Sequence, residues 1–139
     1  MKERSFIDSN ILVYTDDAAF PEKQEIAMAL LETGWNSGNI ILSTQVLQEY
    51  FSAVTCKLAV SAETAQRKIE LLGCLDIVSI QHQDILRAIE IHRLNKFSFW
   101  DSLIIRMAQK TSCNILYSED MQHGQKVGDV KIVNPFRPE

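Results

Sequence analysis

Four acidic residues lie where the sequence predicts that strands end or helices begin. Asp8 directly follows an apolar run at residues 5–7, and Asp120 comes three residues after another predicted strand. Glu49 lies in the first half of a predicted helix, and Asp101 lies in the first turn of a later one. Carboxylate oxygens suit hard divalent cations, and Mg²⁺ held by carboxylates commonly binds phosphate oxygens and activates a water molecule. The four residues are therefore candidates for metal-dependent phosphoryl chemistry.

Three of these carboxylates also have ordinary structural explanations when each is considered alone. Asp8 can cap the helical turn that begins near Asn10, because an Asp side chain accepts backbone N–H groups there. Asp120 can belong to a turn that precedes Gly124. Glu49 can be a solvated helix position, although it borders the apolar side of its helix.

Asp101 is harder to explain by local structure alone. With Ser98 it fits a capping box, in which the Ser side chain accepts an N–H from the first helical turn. Its neighbours three, four and seven positions on are Ile104, Ile105 and Ala108, however, so it lies along an apolar helix face. An ionised carboxylate on such a face is unfavourable unless it is paired or bound to a metal. Asp101 therefore favours the functional interpretation.

Short apolar runs alternate with helical patterns along the chain, and this order is typical of an α/β protein. We expect one α/β domain over residues 1–139, with a mostly parallel sheet of four to five strands flanked by helices. The predicted strands are 5–7, 40–42, 77–80, 114–117 and 130–133; the predicted helices are 10–14, Pro21 to Gly34 or Gly38, 44–58, 62–72, 84–94 and 99–110.

A parallel sheet would bring the four carboxylates together, because ligands bind beyond the carboxyl ends of its strands. Two like charges about 4 Å apart repel by about 4 kcal/mol at an effective dielectric constant of about 20. Such a cluster is therefore either partly protonated or bound to a cation. Oxygen-only ligands favour Mg²⁺ or Mn²⁺.

Composition limits the classes of protein that the chain can belong to. It has 139 residues, of which 46% are hydrophobic and 23% charged, and it lacks an apolar run long enough for a membrane span. The net charge of −4 opposes a generally basic nucleic-acid footprint, although residues 57–110 carry eight basic and six acidic residues. Cys56, Cys74 and Cys113 are widely spaced, so we expect buried thiols and a reducing, cytoplasmic setting.

Four segments of the chain resemble the motifs of PIN-domain ribonucleases, in order and in spacing. They are residues 6–14 (FIDSNILVY), 45–50 (QVLQEY), 99–104 (FWDSLI) and 116–124 (LYSEDMQHG). The last segment has the form typical of VapC-like toxins of type II toxin–antitoxin systems. The resemblance covers nearly the whole chain and implies that the expected single α/β domain is PIN-like.

The resemblance implies an endoribonuclease that depends on Mg²⁺ or Mn²⁺. It implies that four carboxylates are catalytic and bind the metal, with Asp8 and Asp101 as the main ligands and Glu49 and Asp120 in support. Of the adjacent acids Glu119 and Asp120, the family pattern favours Asp120.

The resemblance also implies supporting side chains and protein partners. Asn10 and Ser118 match positions that usually bond to the carboxylates. A homodimer and a small cognate antitoxin that blocks the site are implied as well. The helices within residues 44–72 have enough apolar and mixed surface to bind an amphipathic antitoxin segment or a second subunit.

Cations and tryptophans add weaker expectations. Arg93, Lys96 and Arg106 are candidates for contacts with the RNA backbone, and solvated helix charge is the alternative for each of them. Trp35 and Trp100 are expected in the core more than in base stacking.

Two other functions stay open at this stage. One is a catalytically silent PIN-like interaction domain. The other is a Mg²⁺-dependent phosphatase with Asp8 as nucleophile, but such enzymes commonly need a second Asp two residues further on, where this chain has Asn10.

Overall fold

Short strands alternate with helices along residues 3–137, the part of the chain that the computed structural model describes. The elements are β1 (Ser5–Ile7), α1 (Ser9–Tyr14), α2 (Pro21–Ser37), β2 (Ile40–Ser43), α3 (Thr44–Lys57), α4 (Ala62–Leu72), β3 (Asp76–Val78), α5 (His82–Leu94), α6 (Phe99–Lys110), β4 (Ile115–Tyr117), β5 (Lys126–Val127) and β6 (Val130–Val133).

The sheet has the order β3-β2-β1-β4-β6-β5 in the described residues. Neighbouring strands run parallel from β3 across the sheet to β6, and the edge strand β5 pairs antiparallel with β6. The predicted α/β class and mostly parallel sheet are confirmed, with a sixth strand, β5, that the sequence did not predict. Since β1 lies in the middle of the sheet, residues that follow it emerge between β2 and β4.

The central strands are short and are buried on both faces. Phe6, Ile7, Leu42 and Leu116 are at most 1% exposed, and helices cover them. Such strands consist of continuous apolar runs, which is why they are visible in the sequence.

Helix α2 ends at Ser37, and its C-cap residue is Gly38. The left-handed φ of 69° at Gly38 suits glycine. Gly34, the other predicted end, lies inside the helix, and it is buried for a packing reason. A Cβ atom at Gly34 would lie 1.8 Å from the Cγ1 atom of Ile40. The missing side chain therefore lets α2 approach β2 closely.

The expected burial was wrong for four residues. Cys56 and Cys74 are exposed, and only Cys113 is buried. The side chains of Trp35 and Trp100 are 40% and 61% exposed, so neither belongs to the core. Residue type favoured burial of the two tryptophans, but other residues occupy the buried positions of α2 and α6. In residues 3–137, no helix combines the length and apolar character that a membrane crossing needs.

Candidate active site

Asp8 lies at the carboxyl end of the central strand β1 and is only 4% exposed. It also caps α1, because its Oδ1 atom accepts the Ser9 backbone N–H at 2.7 Å. The Ser118 hydroxyl donates to its Oδ2 atom at 2.8 Å, from the segment that follows the neighbouring strand β4. The predicted capping role and the predicted site position are thus combined in one side chain.

The pKa of Asp8 is raised from 3.8 to about 7, mainly by burial and also by the negative charges of Glu49 and Asp101. The hydrogen bonds from Ser118 and from the Ser9 backbone act in the opposite direction. The pKa therefore reflects a carboxylate that has little water around it and other carboxylates nearby.

Asn10 joins Asp8 to the loop that carries Asp120. Its Nδ2 atom lies 3.3 Å from the Oδ2 atom of Asp8 and 3.0 Å from the Oδ2 atom of Asp120. Its Oδ1 atom accepts the backbone N–H of Glu119 at 3.2 Å. The expected bonds from Asn10 and Ser118 to the acids are thus present in the structure.

Glu119 and Asp120 have different surroundings. The Tyr14 hydroxyl donates to Glu119 at 2.7 Å, and the Lys23 ammonium forms an ion pair with the same carboxylate. Asp120 is exposed and bonds to Asn10. The charge of Glu119 is therefore neutralised by Lys23 of α2. In the part of the chain that the structure describes, Asp120 has no such cation, and it is linked to Asp8 through Asn10.

Glu49 is held by hydrogen bonds from α1 and from its own helix. The Ser9 hydroxyl donates to its Oε1 atom at 2.9 Å, and the Gln45 amide donates to its Oε2 atom at 3.2 Å. The same amide lies 3.3 Å from the carbonyl oxygen of Trp100. Sequence reasoning missed Ser9 and Gln45, although the four-residue spacing of Gln45 and Glu49 was a usable signal.

Asp101 is half-buried at the start of α6, where its backbone N–H donates to the Ser98 hydroxyl at 3.1 Å. Burial raises the pKa of its carboxyl, and the charges of Asp120 and Glu49 contribute in the same direction. The predicted cap is therefore real, and the side chain also shares the electrostatic environment of the other acids.

We refer to Asp8, Glu49, Asp101 and Asp120 together as the acidic centre. Within residues 3–137, none of the ion pairs involves any of these four carboxylates. In the same residues, no three His, Cys, Asp or Glu side chains are arranged closely enough to enclose a metal ion. The carboxylates therefore converge without closing on one point. Their oxygen-only donors and lack of a cationic partner fit a hard divalent ion such as Mg²⁺ or Mn²⁺.

The predicted RNA-contacting cations have separate positions. Lys96 is exposed and lines the same groove as Asp101 and Asp120. Arg93 lies on the exposed surface of α5 and does not line that groove. Arg106 does not fit its predicted role, because its Nε atom donates to Asp84, at 3.0 Å.

Asp84 explains why Arg106 is unavailable. This carboxylate is fully buried, and it also accepts hydrogen bonds from Lys110 at 2.9 Å and from the Gln81 backbone at 2.8 Å. Burial alone would raise the pKa of Asp84, but these bonds and the two cations lower it below its ordinary value. A buried charge needs such partners, so Arg106 joins α6 to α5 instead of facing solvent.

Solved structures of toxins share this fold. VapC20 from Mycobacterium tuberculosis, described as a sarcin-ricin loop cleaving toxin, has a TM-score of 0.66 and 19% identity over 84% of this chain and 89% of its own. A toxin–antitoxin complex from Klebsiella pneumoniae has a TM-score of 0.68 and 19% identity over 96% and 99%. VapBC2 from Rickettsia felis, bound to a promoter DNA fragment, has a TM-score of 0.66 and 18% identity over 92% and 96%.

Sequence comparison identifies the family directly. No curated protein sequence matches the chain significantly. The family model described as PIN domain matches residues 5–127, which include all four members of the acidic centre. The chain therefore belongs to the PIN domain family.

Proposed function

We propose that this protein is a metal-dependent endoribonuclease that hydrolyses RNA phosphodiester bonds and acts as the toxin of a toxin–antitoxin pair. The observation that carries the proposal is the acidic centre, four carboxylates that share one end of the sheet and have no cationic partner in residues 3–137. Membership of the PIN family and the toxins of the same fold support it.

Asp8 and Asp101 would be the main ligands of Mg²⁺ or Mn²⁺, with Glu49 and Asp120 in support. A bound divalent ion supplies Lewis acidity toward a phosphate oxygen and lowers the pKa of a water molecule. The ion also supplies the positive charge that the chain itself lacks at this point.

The protein's own groups position the carboxylates and handle the proton. Asn10 and Ser118 keep Asp8 and Asp120 in a fixed relation through the bonds described above. A neighbouring carboxylate of the acidic centre would accept the proton of the attacking water. The leaving oxygen is protonated from solvent.

A cognate antitoxin and a second copy of the chain complete the proposal. The Klebsiella pneumoniae structure of the same fold is a toxin–antitoxin complex. On α3 and α4, Phe51 and Leu71 are 38% and 63% exposed, which supports the docking surface expected over residues 44–72. Light scattering is expected to give a dimer, and a mass near the 15.8 kDa of one chain would contradict it.

The test is cleavage of a panel of structured and unstructured RNAs during titration with Mg²⁺ and with Mn²⁺. The wild type is expected to cut at least one RNA, and cleavage is expected to stop with a chelator. Asp8→Asn and Asp101→Asn are expected to lose at least about 100-fold in kcat, with an unchanged circular dichroism spectrum. Asp129→Asn, at an exposed position outside the acidic centre, is the matched control.

Other outcomes identify the alternatives. Cleavage by Asp8→Asn or Asp101→Asn at the wild-type rate, in preparations free of contaminating nuclease, would refute the mechanism. No cleavage of any RNA at any metal concentration would favour a silent interaction domain. A trapped phosphoryl group on Asp8 would indicate a phosphatase.

A further inference from the structure

Two surface grooves meet at the acidic centre and share Asp120. The first, which we name the α3 groove, runs between α1 and α3 and is lined by Tyr14, Glu49, Cys56 and Lys57 among others. The second, which we name the α6 groove, runs along the start of α6. Each groove therefore begins at the carboxylates and leads away from them on a different side.

The α6 groove is lined by the segment that precedes α6 and by the loop that follows Asp120. Its lining includes Lys96, Phe97, Asp101 and Gln122. Asp101 and Asp120 both face this groove, whereas Glu49 and Asp120 face the α3 groove. The acidic centre is thus the junction between the two grooves.

Each groove contains one lysine that is free to bind an anion. Lys57 and Lys96 are exposed, and no ion pair in residues 3–137 involves either of them. Lys23, the nearby cation of α2, is by contrast paired with Glu119. The positive charges available to a ligand therefore lie on both sides of a negative centre.

This alternation of charge matches a polyanion whose middle phosphate meets a metal ion. Each outer phosphate would meet a lysine, and the central phosphate would meet the divalent ion held by the carboxylates. Aromatic side chains in the grooves, Tyr14 and Phe20 in one and Phe97 in the other, suit the unstacked bases of a single strand.

We infer that a single-stranded RNA passes from the α3 groove across the acidic centre into the α6 groove, with Lys57 and Lys96 binding phosphates on opposite sides of the cleaved bond. The inference rests on the proposed function and adds the path of the substrate. It assigns Lys57 a role that its position at the end of α3 did not suggest, and it places Lys96 on the other side.

The first test separates substrate binding from chemistry. Lys57→Gln and Lys96→Gln are each expected to raise KM about three- to tenfold, the range for loss of one hydrogen bond at an exposed site, and to affect kcat less. Each is also expected to make the slope of log(kcat/KM) against log salt concentration less negative by about 0.7. Lys131→Gln, an exposed lysine on β6, is the matched control and should leave both constants unchanged.

The second test uses the native cysteines as reporters. Cys56 is exposed in the α3 groove, whereas Cys74 is exposed beside Trp35, away from both grooves. In the wild type with Mg²⁺, a large excess of a single-stranded oligouridylate is expected to slow alkylation of Cys56 at least about threefold and to leave Cys74 unchanged. Binding is thereby measured by a readout that does not depend on cleavage.

The outcomes distinguish the two proposals. RNA cleavage by the wild type with unchanged KM in both lysine variants and no protection of Cys56 would overturn the path and leave the nuclease proposal intact. Protection of Cys56 without cleavage by the wild type would support the path and overturn the nuclease activity. Absence of both cleavage and protection would overturn both proposals.

Discussion

Replacing Asp8 by asparagine is expected to make the folded protein more stable at about pH 8 when divalent metal is absent. Asp8 is buried at the end of β1, and its pKa is raised to about 7 from an ordinary value of 3.8. Above that pH the folded protein must keep an ionised carboxylate among other carboxylates. Asparagine removes the charge and keeps nearly the same shape.

The magnitude follows from the two pKa values. A folded-state pKa of about 7 against 3.8 corresponds to a penalty of about 4 kcal/mol once both the folded and the unfolded chain are deprotonated. Asparagine recovers only part of it, because three donors, from Ser9, Asn10 and Ser118, now face one oxygen and one amide group. A lost or reversed hydrogen bond costs about 1–3 kcal/mol. The expected net gain is about 1–3 kcal/mol.

The sign depends on pH. Because the folded state binds the Asp8 proton more tightly than the unfolded state, this group makes the wild type less stable as pH rises from about 4 to about 7. Below about pH 4, Asp8 is protonated in both states, and the advantage of asparagine is lost. Urea denaturation with a chelator, at about pH 8 and about pH 4, measures the difference in the free energy of unfolding.

Asp129→Asn at an exposed position is the control for a generic charge effect. Added Mg²⁺ is expected to stabilise the wild type at about pH 8 and to stabilise Asp8→Asn much less. If Asp8→Asn is less stable than the wild type at about pH 8 by the same amount as at about pH 4, the carboxylate is not destabilised by its surroundings and the reasoning is wrong.

Two further predictions concern the scaffold. Asp84→Ala leaves Arg106 and Lys110 without their buried partner, so the free energy of unfolding is expected to fall by about 3–5 kcal/mol in urea denaturation. Because the pKa of Asp84 is lowered in the folded protein, its ionised carboxylate contributes to the free energy of unfolding above its unfolded-state pKa. This contribution is lost as pH falls through the folded-state pKa. An Asp84→Ala variant whose stability depends on acidic pH as that of the wild type does would contradict this. Gly34→Ala drives a Cβ atom into Ile40 and is expected to cost about 1–3 kcal/mol, and a raised melting temperature would show that α2 does not need this close approach.

The positions of the acids could be predicted because they depend on local patterns. Apolar runs identified the strands, and Asp8 follows one of them directly. The helical spacing of Ile104 and Ile105 marked the face that Asp101 shares. In a parallel sheet, the carboxyl ends of the strands meet at one edge. The local patterns were therefore sufficient to predict that these residues lie at the same edge.

The partners of charged residues could not be predicted, because they depend on packing between elements distant in sequence. Arg106 has an ordinary exposed-helix pattern, and only the packing of α5 on α6 brings it to Asp84. Glu119 and Asp120 are adjacent acids, and Lys23, far away in the chain, distinguishes them. Trp100 is exposed because the face of α6 that meets the sheet is occupied by other side chains.

The ion pair between Lys23 and Glu119 makes the acidic centre sensitive to a helix that supplies none of its carboxylates. Lys23 belongs to α2, and Glu119 precedes Asp120 in the same loop. Any displacement of α2 would therefore pull directly on the loop that carries Asp120.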